Sequence, residues 1–328
     1  MPPHSHSPAS PPRILMAIGG NALYNKQTGD NLSTDAIQAV CKHIVAVIHQ
    51  GYLPVITFGN GPQVGSLLDM AETAITGVSA GPRGRTPITL DRCVAWTQGE
   101  IGYAISQTLQ QLLARERLPF SVIAVNTRVE VDPLDPAFQK PTKPVGHFIS
   151  PEDAQRLYEE RGWIVGPDSN RGYRRLVPSP RPMAIVEAEA IGALIDSGAI
   201  VLCGGGGGIP VSTDGRGVEA VIDKDFTSCL LAKTLSIENL LIATDVSNIY
   251  LDFGQPTQRA LTRVTVSDGR RYFEAGEFAA GSMGPKVSAL LDYVASAPEG
   301  KPFKAWITQL SLITEAIAGK AGTEFYPG

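Results

Sequence analysis

Glycine clusters end three short apolar runs in this chain, and glycine at the end of a strand favours anion binding. The runs 14–18, 52–57 and 200–203 stop at Gly19-Gly20-Asn21, at Gly59-Asn60-Gly61-Pro62 and at the five glycines Gly204 to Gly208. Backbone N–H groups can converge on one point there because no Cβ stands in the way. Since parallel strands end at one edge of a sheet, the three turns predict one phosphate-binding crevice and phosphoryl chemistry.

The sequence patterns of the common phosphate-binding proteins are absent. No GxxxxGK[ST] run occurs, and the segment Gly319-Lys320-Ala321 lacks both the hydroxyl residue and the upstream glycine. The glycines 204–208 continue into Ile209-Pro210-Val211 rather than into a helix, which excludes the dinucleotide-binding fingerprint. Protein-kinase motifs are also missing. A kinase with this sequence must therefore hold its phosphates by a different scheme.

Composition argues against nucleic acid and membrane as partners. The 328 residues carry a formal net charge of -4 without a basic run, and no apolar stretch approaches the roughly 20 residues that span a bilayer. Residues 1–12 lack the apolar segment of a secretion signal, so we expect a disordered tail in which His4 and His6 bind no metal. Widely spaced cysteines fit the reduced thiols of a cytoplasmic protein, namely Cys41, Cys93, Cys203 and Cys229.

The elements that must position the glycines alternate between strand-like and helix-like segments, which predicts a parallel sheet. We expect strands at 14–18, 52–57, 121–126, 199–203, 239–244 and 303–308, a hairpin over 248–265, and helices at 34–50, 63–75, 91–115, 187–196, 225–234 and 284–295, with a short last helix. Prolines and charges dominate residues 132–182, which we interpret as an inserted lid subdomain with one helix near 151–161. The prediction is an α/β fold with two lobes and this lid.

Longer blocks of the sequence resemble carbamate kinases, which are members of the amino-acid kinase superfamily. The blocks are IGGNAL (18–23), GNGPQVG (59–65), PTKPVG (141–146), VPSP (177–180), the glycines that lead into IPV (209–211), GVEAVIDKD (217–225) and GSMGPK (281–286). The resemblance covers about residues 13–328 in order. It implies an αβα sandwich around a mainly parallel sheet, a homodimer, and phosphoryl transfer between carbamoyl phosphate and ADP with Mg²⁺.

The same resemblance implies a division of the chain. Residues 13–131 and 183–210 would form an N-terminal lobe that binds the acceptor, residues 132–182 a lid over the acceptor, and residues 211–328 a C-terminal lobe that binds the nucleotide. Residues 1–12 would lie outside this fold as a tail.

Single residues also receive roles from the resemblance. Lys143 in the lid would reach carbamoyl phosphate, Lys224 and Lys286 would flank the transferring phosphate, and Asp225, with Asp223 as the weaker candidate, would orient those lysines. Three ammonium groups suit the charge of a loose phosphoryl-transfer transition state. The remaining candidates bind phosphate or acceptor (Gly19, Gly20, Asn21, Gly59, Asn60, Gly61, Gly205 and Gly206) or nucleotide (Asp223, Thr244, Asp245 and Met283). Mg²⁺ is expected with ATP or ADP, and no protein ligand set for it stands out.

Three positions depart from the family pattern. Phe58 stands where relatives commonly have His, His147 where they commonly have Pro, and Ser247 where they often have Asp or a small residue. The first two departures fit a shifted imidazole, a changed acceptor or neutral drift. Two alternatives therefore stay open: a kinase for another small carboxylate or carbamate, and a regulatory relative that binds nucleotide without turnover.

Overall fold

The protein contains a long mixed β-sheet, and the glycine clusters described above follow three of its strands. The structure, a computed structural model, describes residues 11–25, 30–76, 88–167, 172–279 and 283–328. The predicted disordered tail lies outside these ranges apart from residues 11 and 12. The predicted loop 77–86 and Gly281-Ser282 of the last block also lie outside them. Within the described ranges, a helix with the length and apolar character of a membrane span is not found.

Strands and helices alternate along the described chain. The strands are Arg13–Ile18 (β1), Leu53–Phe58 (β2), Val122–Ala124 (β3), Arg128–Val131 (β4), Lys143–Ile149 (β5), Val165–Pro167 (β6), Tyr173–Val177 (β7), Pro182–Ile185 (β8), Ile200–Leu202 (β9), Ile209–Val211 (β10), Asn239–Thr244 (β11), Ile249–Leu251 (β12), Arg259–Leu261 (β13), Arg263–Thr265 (β14), Lys304–Gln309 (β15) and Thr323–Tyr326 (β16). The helices are Thr34–His49 (α1), Gly61–Thr76 (α2), Leu90–Arg115 (α3), Pro151–Arg161 (α4), Ala188–Asp196 (α5), Lys224–Thr234 (α6), Val266–Glu274 (α7), Met283–Ala295 (α8) and Ile313–Ile317 (α9).

The central sheet has eight strands in the order β14-β16-β15-β11-β1-β2-β9-β3. Every neighbouring pair is parallel except β15 with β16. Residues 14–18 of β1 are fully buried, as expected for a strand at the centre of a parallel sheet covered by helices. Helices α1, α3 and α9 pack together, as do α6, α7 and α8. The predicted α/β fold with a mainly parallel sheet is therefore confirmed.

Strands from both predicted lobes share this one sheet. β1 pairs with β2 on one side and with β11 on the other, so that Ile14 lies opposite Asn239 and Ala17 opposite Ile242. One continuous sheet therefore spans both predicted lobes. The boundary of the two lobes stays a prediction.

The lid residues form a three-stranded sheet in the order β5-β7-β6, with α4 between β5 and β6. The predicted helix at 151–161 is confirmed. It begins after Ser150, whose Oγ accepts a 3.0 Å hydrogen bond from the backbone N–H of Asp153, and ends at Gly162 in a left-handed conformation, φ 66°. Ile149, Ala154 and Leu157 bury a small apolar cluster beneath this helix.

The sequence pattern does not predict β4, β8, β10, α7 or β16. The first three form a separate small sheet in the order β10-β4-β8, and each is too short for an alternating pattern. Helix α7 contains Gly269, which breaks the helical pattern of its sequence. A Cβ at that position would overlap the side chain of Leu291 in α8, so the glycine permits close helix packing. The predicted hairpin over 248–265 is confirmed by the antiparallel pair β12 and β13.

Candidate active site

A cleft of about 490 Å³ opens where β1, β2 and β11 reach their carboxyl ends. The adjacent strands β1 and β11 feed connections that run in opposite directions, which is where α/β sheets bind ligands. Eight of the predicted site residues line this cleft: Gly19, Gly20, Asn21, Gly61, Lys224, Thr244, Asp245 and Lys286. The structure therefore brings together residues that lie more than 260 positions apart in the sequence.

The first two glycine turns touch each other at the floor of the cleft. A Cβ added to Gly59 would lie 2.7 Å from the amide nitrogen of Gly20, and one added to Gly20 would lie 3.0 Å from the carbonyl carbon of Gly59. Real Cβ atoms do not approach backbone as closely as 2.7 Å, so Gly59 needs to be glycine for contact between the two turns, and a side chain at Gly20 would make a tight contact. The turns after β1 and β2 consequently form one surface.

Asn60 supports the second turn from inside the protein. Its side chain is buried, and its Nδ2 donates a 2.9 Å hydrogen bond to Oγ1 of Thr97 in α3. Gly206 has φ +64°, and a Cβ there would overlap the Asn60 amide. Asn60 is one of the predicted acceptor-binding residues. Its Nδ2 already donates a hydrogen bond within the protein.

The third glycine cluster lies behind the cleft. Gly205 and Gly206 are buried and do not line the cleft. Gln98 of α3 fixes this segment, because its Nε2 donates to the Gly205 carbonyl at 2.8 Å and its Oε1 accepts from the Thr127 N–H at 2.8 Å. Sequence reasoning missed Gln98 and Thr127, since a single polar residue inside a long helix, or between two short strands, carries no signal of its own. Phosphate contact by Gly205 and Gly206 stays a prediction.

The start of α6 carries the charges of the site. Asp223 is the N-cap of this helix, with its Oδ1 accepting a 2.9 Å hydrogen bond from the Asp225 N–H. The buried Asp225 carboxylate accepts from two ammonium groups, Lys224 Nζ at 2.5 Å and Lys286 Nζ at 2.7 Å. Two lysines from different helices therefore meet on one carboxylate.

Burial and ion pairing shift the pKa values of Asp225 and Lys286 in opposite directions. Burial acts to raise the pKa of Asp225, but the nearby Lys224 and Lys286 ammonium groups outweigh it and hold that pKa well below the ordinary value. Burial likewise acts to lower the pKa of Lys286, and Asp225 outweighs it, so that this pKa is raised. At neutral pH both partners are therefore charged. Lys286 lies in the first turn of α8, where a lone cation would oppose the helix dipole, and Asp225 compensates it.

The lid reaches the same helix end. Lys143 Nζ donates a 2.7 Å hydrogen bond to Oδ2 of Asp223. Burial acts to raise the pKa of Asp223 and Lys143 acts to lower it, with a net lowering. All three predicted lysines therefore lie at or beside the N-terminus of α6, and each of them donates a hydrogen bond to an aspartate carboxylate.

Comparison with known proteins fits this geometry. The model of the amino acid kinase family matches residues 12–299. The carbamate kinase of Pyrococcus furiosus is 44% identical over 324 residues, which cover 96% of this chain and 99% of that protein. The chain belongs to the amino acid kinase family, among the carbamate kinases. The carbamate kinase of Pyrococcus horikoshii is 42% identical, with 97% of this chain and 100% of that protein covered.

Solved structures in the family have the same fold. Carbamate kinase from Giardia lamblia bound to AMP-PNP superposes with a TM-score of 0.86 at 37% identity, covering 97% of this chain and 99% of that chain. The family assignment and the predicted amino-acid kinase fold are therefore confirmed.

The positions that depart from the carbamate kinase pattern lie apart from the cleft lining. The Phe58 ring is buried and packs on Gly205, where an added Cβ would lie 2.5 Å from it. His147 is exposed and pairs through Nδ1 with Oδ2 of Asp69 in α2 at 2.9 Å. Ser247 Oγ lies 3.0 Å from the Tyr250 hydroxyl.

This carbamate kinase has a second cavity, of about 150 Å³, next to the main cleft. It begins at Val246, directly after the cleft residues Thr244 and Asp245, and Met283 forms part of its wall. The other lining residues are mostly apolar and aromatic: Asn248, Tyr250, Phe253, Glu277, Phe278 and Ala279. Met283 is therefore the one predicted nucleotide-binding residue that lines this second cavity.

Proposed function

We propose that this carbamate kinase transfers a phosphoryl group between carbamoyl phosphate and ADP, with ATP and carbamate as the products. The observation that carries the proposal is the pair of ammonium groups, on Lys224 and Lys286, that line the cleft and share the buried Asp225 carboxylate. Fixed positive charges beside a water-accessible cleft suit a phosphoryl group whose charge spreads over its oxygens in the transition state.

The transfer needs no covalent intermediate. A β-phosphate oxygen of ADP attacks phosphorus in line, the bond from phosphorus to the carbamoyl oxygen breaks, and carbamate leaves with that electron pair. The lysines stabilise the moving group, Asp225 holds them in place, and the N–H groups of Gly19, Gly20 and Asn21 orient the phosphoryl oxygens. Lys143 completes the set of three cations from the lid side.

The nucleotide occupies the cleft and the adjoining cavity in this proposal. A purine ring suits the apolar wall formed by Tyr250, Phe278 and Met283, and the phosphates then extend past Thr244 and Asp245 to Lys286. AMP-PNP bound to the Giardia relative supports an adenine nucleotide.

Mg²⁺ would arrive with the nucleotide. The described residues contain no group of three histidines, cysteines or carboxylates that could hold a metal, and both Asp225 oxygens already accept from lysine. Asp245 adds a carboxylate to the cleft lining, which fits an ion bound mainly through phosphates and water. When bound, the ion neutralises phosphate charge.

The partner we propose is a second copy of the chain. Helix α3 presents an exposed apolar stripe, with Trp96 45% and Tyr103 64% exposed. Between them Gly99 has open space above it, which would allow another helix to approach closely.

Purified protein mixed with carbamoyl phosphate, ADP and Mg²⁺ should form ATP. Lys286→Ala should lose activity on the order of a hundredfold or more, because it removes a charge that stabilises the transition state. Lys304→Ala is the matched control, since Lys304 is exposed at the opposite end of the sheet. ATP consumption with another carboxylate, but none formed from carbamoyl phosphate, would favour a different acceptor. Nucleotide binding without any turnover would favour a regulatory relative.

A further inference from the structure

Asp223 performs two tasks with its two carboxylate oxygens. Oδ1 caps α6 by accepting from the Asp225 N–H, and Oδ2 accepts from the Lys143 ammonium of the lid at 2.7 Å. The side chains of Lys143 and Asp223 are 35% and 23% exposed, so this pair is largely shielded from solvent. The capping task needs an oxygen acceptor, whereas the second task needs a negative charge.

The base of the lid is packed beside this pair. Val145 of β5 and Val177 of β7 share an apolar cluster with Val221, and the Val221 N–H donates a 3.0 Å hydrogen bond to the Pro178 carbonyl. Alternate residues of a strand share a face, so Lys143 lies on the same side of β5 as Val145. The ion pair between Lys143 and Asp223 therefore lies next to the apolar contact at Val221.

The ion pair between Lys143 and Asp223 also affects the balance of charge in the cleft. Lys224 and Lys286 already occupy both oxygens of Asp225. Without the Asp223 charge, three ammonium groups would share one carboxylate, and their repulsion would act most on Lys143. Lys143 has the most exposed side chain of the three, and its strand belongs to the lid.

We propose that Asp223 is the positioning residue that holds the lid lysine, Lys143, beside the phosphate-binding lysines of the cleft. Asp223 acts through Lys143 and thereby links the placement of the lid to the start of α6. The inference rests on the proposed function, in which Lys143 contacts carbamoyl phosphate.

Asp223→Asn separates the two tasks, because asparagine caps helices as well as aspartate does but carries no charge. In the direction of ATP formation we expect the KM for carbamoyl phosphate to rise about tenfold while the KM for ADP stays within about twofold. Asp135→Asn is the matched control. Asp135 also caps a short helical turn, through Oδ1 to the Ala137 N–H, and also accepts at Oδ2, from the Arg181 N–H.

Asp223→Asn combined with Lys143→Ala tests whether Asp223 acts through the lysine. In the Lys143→Ala background, Asp223→Asn should change the kinetics by less than about twofold. A full additional effect there, or wild-type kinetics in the single variant, would overturn the inference.

Hydrogen exchange gives a readout that does not need turnover. Amides of β5 and β7 should exchange faster in Asp223→Asn than in wild type, while those of α6 keep their protection because the cap is intact. Equal exchange in β5 and β7 would refute the link even if the protein used another acceptor. If wild type forms no ATP from carbamoyl phosphate yet the lid amides respond, the proposed reaction fails and the positioning by Asp223 stands.

Discussion

Asp225 is the residue on which the charges of the cleft depend. It is 2% exposed, and each of its oxygens accepts from a different lysine. A buried ion pair adds little net stability compared with an apolar pair, but the loss of one member leaves the others uncompensated. Asp225 therefore matters most for holding the ammonium groups of Lys224 and Lys286 close together.

Asp225→Asn should lower the free energy of unfolding by about 3 kcal/mol, because two neighbouring ammonium groups lose their shared carboxylate. Inorganic phosphate should restore part of that stability, and it should stabilise the variant more than wild type, since the anion replaces the missing charge. Urea unfolding with and without phosphate measures both effects. Asp252→Asn, at an exposed aspartate, serves as control and should stay within about 0.5 kcal/mol. Equal phosphate effects on the variant and on wild type would contradict this account.

The sequence does not predict where the side chain of Phe58 lies. Its place before Gly59-Asn60-Gly61 left open a change of acceptor, and the ring is buried against Gly205. Successive residues at a strand end point to opposite sides, and the sequence does not tell which side faces the cleft. The family block correctly brought Lys224 and Lys286 to one place, because both lie at helix starts that the pattern defines.

At the scale of elements, the contact between the turns after β1 and β2 shapes the cleft floor. These strands are adjacent and parallel, with Ile18 opposite Phe58, so their turns leave the sheet side by side. Gly20 and Gly59 then let the two backbones touch. The two turns consequently form one continuous surface at the cleft.

Gly59→Ala should force the two turns apart, because the new Cβ would lie 2.7 Å from the Gly20 nitrogen. We expect a loss of activity on the order of a hundredfold, as for a displacement of about 1 Å in a site that depends on positioning. Gly61→Ala is the control for stability, since a Cβ there meets nothing within 4 Å. Thermal unfolding should show a lower melting temperature for Gly59→Ala than for Gly61→Ala. Equal melting temperatures, together with retained activity in Gly59→Ala, would rule out the contact as a requirement.

Elements with a clear period were predicted well, and elements fixed by distant contacts were not. The pattern of 34–50 gave α1 to within one residue, and 239–244 gave β11 to the residue. In contrast, β16 has four residues, and its partners β14 and β15 define it through hydrogen bonds that no local pattern encodes. The neighbours of the third glycine cluster, Gln98 from α3 and the Phe58 ring, are likewise set by distant contacts, and its phosphate contact stays a prediction.

At the scale of the whole molecule, the lid, the α6 helix and the α8 helix meet through charges. Lys143 comes from the lid, Lys286 from α8, and the two aspartates that receive them from the start of α6. The aspartates at 223 and 225 thus connect parts of the chain that are about 140 residues apart. The stability of the folded chain should therefore depend on the ionisation of these two aspartates and of the lysines that pair with them.

The pH dependence follows from the direction of each pKa. The pKa values of Asp223 and Asp225 are lowered in the folded state, burial opposing and the lysines prevailing. Both carboxylates therefore stabilise the fold above the ordinary aspartate pKa of about 4, and this stability is lost as the pH falls through their lowered values. The pKa of Lys286 is raised, so its contribution is complete below about 10.4 and is lost at higher pH.

Melting temperatures measured from about pH 3 to pH 11 should consequently show a broad plateau that falls at both ends. In Asp225→Asn the acid side should fall less steeply than in wild type, because one carboxylate whose protonation destabilises the fold is gone. The alkaline fall should be smaller in this variant, because without Asp225 the pKa of Lys286 is no longer raised above its unfolded value and loss of that proton no longer destabilises the fold. Parallel curves for the variant and wild type at both ends would show that these charges do not govern the pH dependence of stability.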